Sequence, residues 1–217
     1  GFFISEDGKI ATNLHVTRPW LYDSNDEGVT IGQIIRDLLV AIGNTSYVTQ
    51  VKVTGMSLGM GVLPNGLPLS FGTNLTTCNE IKASDMTEYD VAILQTETHA
   101  MPNKVDCYVD LSKAELEEKA LKPGSKIYTI GFPTGISEAT MTLSDKILHN
   151  MIQAGSITQE RDECCFGHNC ATAQGASGSP VFNEKGRLLG VLNAGMEGKQ
   201  RLNTAVKAKH LIKLQAE

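Results

Sequence analysis

Short apolar segments, each closed by a glycine-bearing turn, recur along this chain and constrain its fold more than any other feature. Phe2-Phe3-Ile4-Ser5 and Ile10-Ala11-Thr12-Asn13-Leu14-His15-Val16 flank the pair Asp7-Gly8, a strong hairpin signal. Val181-Phe182 and Leu188–Leu192 flank Asn183-Glu184-Lys185-Gly186 in the same way. Between them, Tyr47–Thr54 alternates, and Met56–Val62, Cys78–Ala83, Val91–Leu94, Lys126–Ile130, Thr140–Leu143, Ile147–Thr158 and Leu202–Val206 also read as strands. Helical spacing is confined to a few places. Ile31, Ile34, Ile35, Leu38, Leu39 and Ile42, with Gly43 as a stop, predict a helix over about 30–42. A short helix is expected around Ser112–Lys119 and a terminal one over Lys207–Gln215. The linker-like stretch Thr96–Gly124 separates two strand-rich parts of similar size. The expectation is therefore an all-β chain of two packed, six-stranded-type antiparallel β-barrels, at 1–110 and 111–217, with the helix at 30–42 inserted in the first and a C-terminal helix ending the second.

Composition excludes some classes of function. The net charge is −5, so nothing favours a nucleic-acid partner, and no apolar run approaches a membrane span. Gly1-Phe2-Phe3-Ile4 already reads as strand, with no leader or initiator methionine before it. The chain is expected to start inside a longer precursor, which leaves adjoining domains open. The odd count of five cysteines leaves at least one thiol outside any intrachain disulfide. One or two disulfides would fit an oxidising compartment, and a secreted or cell-envelope setting is favoured over a cytoplasmic one.

Gly175-Ala176-Ser177-Gly178-Ser179-Pro180 is the stretch that carries chemistry. Glycines on both sides of Ser177 allow a tight turn in which the hydroxyl projects and the N–H groups of Gly175 and Ser177 converge on one point. Such a turn can present a nucleophile, or it can be a plain hairpin turn. A serine nucleophile needs a base and an acid that orients the base. Five histidines are available: His15, His99, His149, His168 and His210. His15 ends an apolar strand and Asp90 opens another in the same half, while Ser177 lies in the other half. That order puts the three at an interface between barrels, where an extended substrate can lie.

These stretches resemble the trypsin-like serine peptidases of bacterial type, similar to the HtrA/Deg and glutamyl endopeptidase families. The resemblance rests on Gly8-Lys9-Ile10-Ala11-Thr12-Asn13-Leu14-His15-Val16, Asp90-Val91-Ala92-Ile93-Leu94, Ile130-Gly131-Phe132-Pro133-Thr134-Gly135 and Gly175–Phe182, in that order. Residues 17–46 fall outside it and look like an insertion. It implies an endopeptidase acting on polypeptide substrates, with His15 as base, Asp90 as its orienting acid and Ser177 as nucleophile. It also implies an oxyanion hole at the N–H groups of Gly175 and Ser177, and no metal or cofactor. Ser179 lies past the oxyanion turn and is assigned a packing or hydrogen-bonding role.

Where trypsin has an aspartate before the nucleophile, this chain has Ala176, which argues against activation by pairing a new N-terminus there. By spacing from Ser177, the pocket for the side chain preceding the cut bond draws on Ala171, Thr172, Asn193, Ala194 and Gly195, none of them charged. Glutamyl endopeptidases place a histidine where this chain has Leu192. A small or medium uncharged residue is expected in the pocket. Cys164-Cys165-Phe166-Gly167-His168-Asn169-Cys170 offers three thiols and an imidazole to zinc, but adjacent cysteines suit a closed tetrahedron poorly, and a disulfide or buried thiols are preferred. A latent or inactive peptidase-fold module that only binds peptides is the alternative function.

Overall fold

The computed structural model describes residues 1–18, 47–54, 57–64, 75–85, 87–102, 105–131, 151–160, 162–172, 176–195 and 203–217, of which 47–54, 57–64, 75–77 and 194–195 are described by backbone alone. The helix expected at 30–42, the strand at Thr140–Leu143, the turn at Phe132–Gly135 and Gly175 lie outside the described residues.

The first half forms a six-stranded antiparallel sheet. Its strands are β1 (Phe2–Phe3), β2 (Lys9–Thr12), β3 (Tyr47–Thr54), β4 (Ser57–Pro64), β5 (Leu75–Ala83) and β6 (Ala92–Thr96). They lie in the order β1-β2-β6-β5-β3-β4. The predicted hairpin is present: Phe2 pairs with Ala11 and Phe3 with Ile10, across a turn in which Gly8 has φ +82. All five residues of β6 are buried. It lies between β2 and β5 and is covered on both faces, which is why its sequence is a continuous apolar run and not an alternation.

The second half closes into a barrel in the order β10-β11-β12-β9-β8-β7. Its strands are β7 (Lys126–Gly131), β8 (Met151–Glu160), β9 (Cys165–His168), β10 (Pro180–Asn183), β11 (Leu188–Gly195) and β12 (Asn203–Lys207). The terminal helix α2 (Ala208–Ala216) follows. The chain is thus a mostly-β protein of the double-barrel kind with a C-terminal helix.

The expected helix at Ser112–Lys119 is absent. Two 3₁₀ turns, Leu111–Lys113 and Glu118–Leu121, take its place. The Glu115 amide between them donates to the Leu188 carbonyl, so the backbone there pairs with the barrel and not with a helix of its own.

One buried cluster joins the halves. Phe2, Ala11, Val91 and Ile93 from the first sheet meet Val191 and Val206 of the barrel and Leu211 and Leu214 of α2. Leu211 and Leu214, three apart, form the apolar stripe by which α2 docks on both sheets. A second cluster fills the barrel with Ile127, Ile157, Phe166, Val181, Leu189 and Ala205, and Ala176 of the serine turn packs within it.

Gly8 tests the first hairpin. A Cβ there would come within 2.7 Å of the Ala100 carbonyl oxygen, at a φ that L residues rarely adopt. Gly8→Ala is expected to cost about 1–3 kcal/mol, read as a lower midpoint in urea unfolding with an unchanged slope.

Candidate active site

His15 is not at a strand end. β2 stops at Thr12, and His15 sits in a single helical turn, α1 (Leu14–Thr17). The Asn13 carbonyl, which a continuing strand would have paired across the sheet, accepts instead from the amides of Val16 and Thr17. The turn lifts the imidazole off the sheet.

Asp90 is held opposite by the loop that leads into β6. The Ser84 amide donates to the Val91 carbonyl at 3.0 Å, and the Ser84 hydroxyl accepts from the Val91 amide at 3.2 Å and donates to the Tyr89 carbonyl. Asp85 accepts from the Thr87 amide and hydroxyl, which holds its carboxyl below the usual carboxylate range.

His15 and Asp90 meet directly. Asp90 Oδ2 lies 2.6 Å from His15 Nδ1, and Oδ1 accepts from the His15 backbone amide at 2.9 Å. A carboxylate can only accept, so Nδ1 is the donor of this pair, and in a neutral imidazole that leaves Nε2 as the acceptor. The Asn13 side chain donates to the Asp90 carbonyl at 2.7 Å and ties the acid to the strand that ends before the base. The Asp90 side chain is 14 % exposed and that of His15 27 %, so the acid lies inside and the base reaches outward.

Glu80 is a further contributor that sequence reasoning missed. It lies on β5, far from His15 in the chain, yet accepts from Thr17 Oγ1 at 2.7 Å and from Arg18 Nη2 at 2.5 Å. It anchors the C-terminal end of the His15 turn, and no local pattern announces it.

Ser177 is half-buried in a turn closed from Ser179 N–H to the Ala176 carbonyl at 3.1 Å. Gly178 has φ +81, and its N–H donates to the Leu192 carbonyl. A Cβ on Gly178 would stand 2.5 Å from Thr12 Oγ1, so the serine turn abuts the end of β2 just before His15. The Ser177 hydroxyl donates to the Asn193 carbonyl at 3.3 Å, and among the described residues no hydrogen bond joins it to His15.

Of the expected pocket residues, Ala171 is exposed, and Thr172 and Asn193 are half-buried. Asn193 Oδ1 accepts from the Thr204 hydroxyl at 2.5 Å. Ala194 and Gly195 continue β11 in the description by backbone, and Gly175 of the expected oxyanion hole is outside the described residues.

The Cys164–Cys170 segment does not assemble a metal centre among the described residues. Cys107, Cys164 and Cys170 are free thiols, and Cys164 Sγ contacts the Glu88 carbonyl at 3.4 Å. Burial pushes the Cys170 thiol up to about 11, which makes it a poor thiolate.

Glu80→Gln tests the anchor of the base. It is expected to cost roughly 1–3 kcal/mol, since a charged acceptor of two side chains is replaced by a neutral one. Amide hydrogen exchange at Val16–Arg18 should quicken more than in β11; uniform exchange across both would contradict the anchoring role.

The model of the trypsin-like peptidase domain matches residues 1–191. No curated protein matches the chain in sequence. Among solved structures, Deg5 superposes with a TM-score of 0.57 at 16% identity over 98% of this chain and 79% of its own. The serine endoprotease of Yersinia pestis gives 0.54 at 16% identity over 99% of this chain, which spans 54% of that protein. The MamO protease domain of Magnetospirillum magneticum gives 0.52 at 11% identity, over 97% and 84%.

Proposed function

The chain belongs to the trypsin-like peptidase domain family, and from that premise we propose that it is a serine endopeptidase working through His15, Asp90 and Ser177. The observation that carries this reading is the two-point grip of Asp90 on His15, on a sheet whose β2 end abuts the serine turn at Gly178.

In the proposed reaction, His15 Nε2 takes the Ser177 proton as the oxygen attacks a peptide carbonyl. Asp90 holds the tautomer and stabilises the imidazolium that forms. The N–H groups of Gly175 and Ser177 receive the developing oxyanion. The imidazolium then protonates the leaving amine. Water, with His15 again as base, hydrolyses the acyl-enzyme. The uncharged residues near Ser177 favour a small or medium uncharged side chain before the cut bond.

One observation favours a second, latent reading. The Ser177 hydroxyl rests on the Asn193 carbonyl, so it must rotate to reach the base. A protein held in that state binds peptides without cutting them.

A fluorophosphonate probe distinguishes the two. The expected outcome is labelling of wild-type protein at Ser177 and none of Ser177→Ala. Asp90→Asn should keep the fold and lose roughly 10⁴-fold in kcat, because the imidazole takes the wrong tautomer. Peptide binding without labelling at any pH would establish the latent module.

A further inference from the structure

His168 is a buried imidazole that the proposed reaction does not use. It ends β9 and is fully buried, and among the described residues neither ring nitrogen has a partner at full hydrogen-bond geometry, although the Thr204 backbone lies close enough to act on the ring. Orphaned polar atoms in a core are costly, and each one asks for a reason. The neighbouring phenylalanine, Phe166, lies with its ring centroid 6.4 Å away and satisfies no polar group.

The register of the barrel locates this imidazole. His168 stands opposite Asn203 on β12, and Asn203 stands opposite Gly195 on β11. The row across three strands therefore reads His168–Asn203–Gly195. Residues two apart on a strand share a face, so His168 lies on the same side of the sheet as Phe166, and Asn203 on the same side as Ala205. Phe166 and Ala205 pack in one cluster with Cys170 and with Ala176, the residue before the nucleophile. The Asn203 side chain donates to the Cys170 carbonyl at 2.7 Å, and so braces the segment that runs into Ala171 and Thr172. The row ends at Gly195, two residues along β11 from Asn193, whose carbonyl accepts from Ser177.

We propose that His168, with Asn203 beside it, is the floor of the pocket that takes the side chain preceding the cut bond, and that it selects a carboxamide, glutamine above all. The proposal rests on the peptidase reading and names the substrate class that reading leaves open.

The chemistry of the floor decides between side chains. Burial pushes the His168 imidazole down to about 4, and the Thr204 backbone beside it compensates only in part. The ring is therefore neutral at physiological pH, with one N–H donor and one bare acceptor. A carboxamide offers the matching acceptor and donor. A glutamate would bring a buried carboxylate with no cation to meet it, which costs far more than a neutral amide. An apolar side chain would leave both nitrogens orphaned. Discrimination between a side chain that makes such bonds and one that cannot is often large in buried sites.

The test uses Ser177→Ala protein, which cannot turn substrate over, and fluorescein-labelled hexapeptides that differ only in a C-terminal Gln, Glu or Leu. Fluorescence anisotropy is expected to show the Gln peptide binding at least about tenfold more tightly than the other two. His168→Phe, added to the same protein, should erase that preference. Should that variant fail to fold, the ¹⁵N imidazole resonances of His168 in Ser177→Ala supply the second reading: they shift on titration with the Gln peptide and stay still with the Leu peptide. Equal binding of all three peptides would overturn the proposal and leave the nitrogens to a buried water. So would a Gln preference that survives His168→Phe, or unmoved resonances. Fluorophosphonate labelling separates the two claims. Labelling without a Gln preference defeats the pocket floor alone. A Gln preference without labelling defeats the peptidase and keeps the pocket.

Discussion

The Asp90 carboxylate is the contact on which the site depends. One oxygen accepts from the backbone amide of His15 and the other faces its ring at 2.6 Å. A single ring bond would leave the imidazole free to swing. The second bond fixes the backbone that carries it, so orientation and tautomer are set together. Asp90 has this reach because β6 places it at the end of a fully buried strand, beside the strand that runs into His15. Stability and chemistry meet here: the apolar run that makes β6 central also makes the acid stationary.

The second constraint is the approach of the serine turn to the first sheet. Gly178 lies so near Thr12 that a methyl group would not fit, and its φ is one that glycine takes readily. The same turn is pinned from below by Ala176 in the barrel core and by the Gly178 bond to Leu192. In trypsin a charged residue before the nucleophile takes part in ordering this loop. Here a buried alanine packs in the barrel core, which ties the loop's geometry to the barrel interior. The Ser177 contact to Asn193 is then a rotamer choice within a fixed turn, a small barrier compared with building the loop.

Much of this was legible in the sequence because the informative signals are local. Asp7-Gly8 marks a hairpin, an unbroken apolar run marks a central strand, and glycines around a serine mark a strained turn. His15, Asp90 and Ser177 each sit at the end of such a signal. What was not legible depends on distant partners. His15 reads as strand because Leu14 and Val16 are apolar, yet the Asn13 carbonyl folds the chain into a turn. Glu80 looks like an exposed charge until β5 brings it beneath Thr17 and Arg18. Glu115 belongs to a helical pattern, but its amide is engaged by Leu188. His168 stands out in the sequence only by its place among cysteines, and barrel closure reveals it as a buried ring on β9 that has no partner at full hydrogen-bond geometry among the described residues.

The central claim is that His15 and Asp90 form a fixed pair toward which Ser177 turns. The most direct measurement is a crystal structure of the protein after reaction with a peptidyl phosphonate. The account predicts phosphorus bonded to Ser177 Oγ, the Asn193 carbonyl released, and His15 Nε2 within hydrogen-bond distance of a phosphonyl or Ser177 oxygen. It also predicts a second phosphonyl oxygen accepting from the amides of Gly175 and Ser177, with the His15–Asp90 contact unchanged. An adduct on another residue, or one on Ser177 with His15 turned away from Asp90, would contradict it.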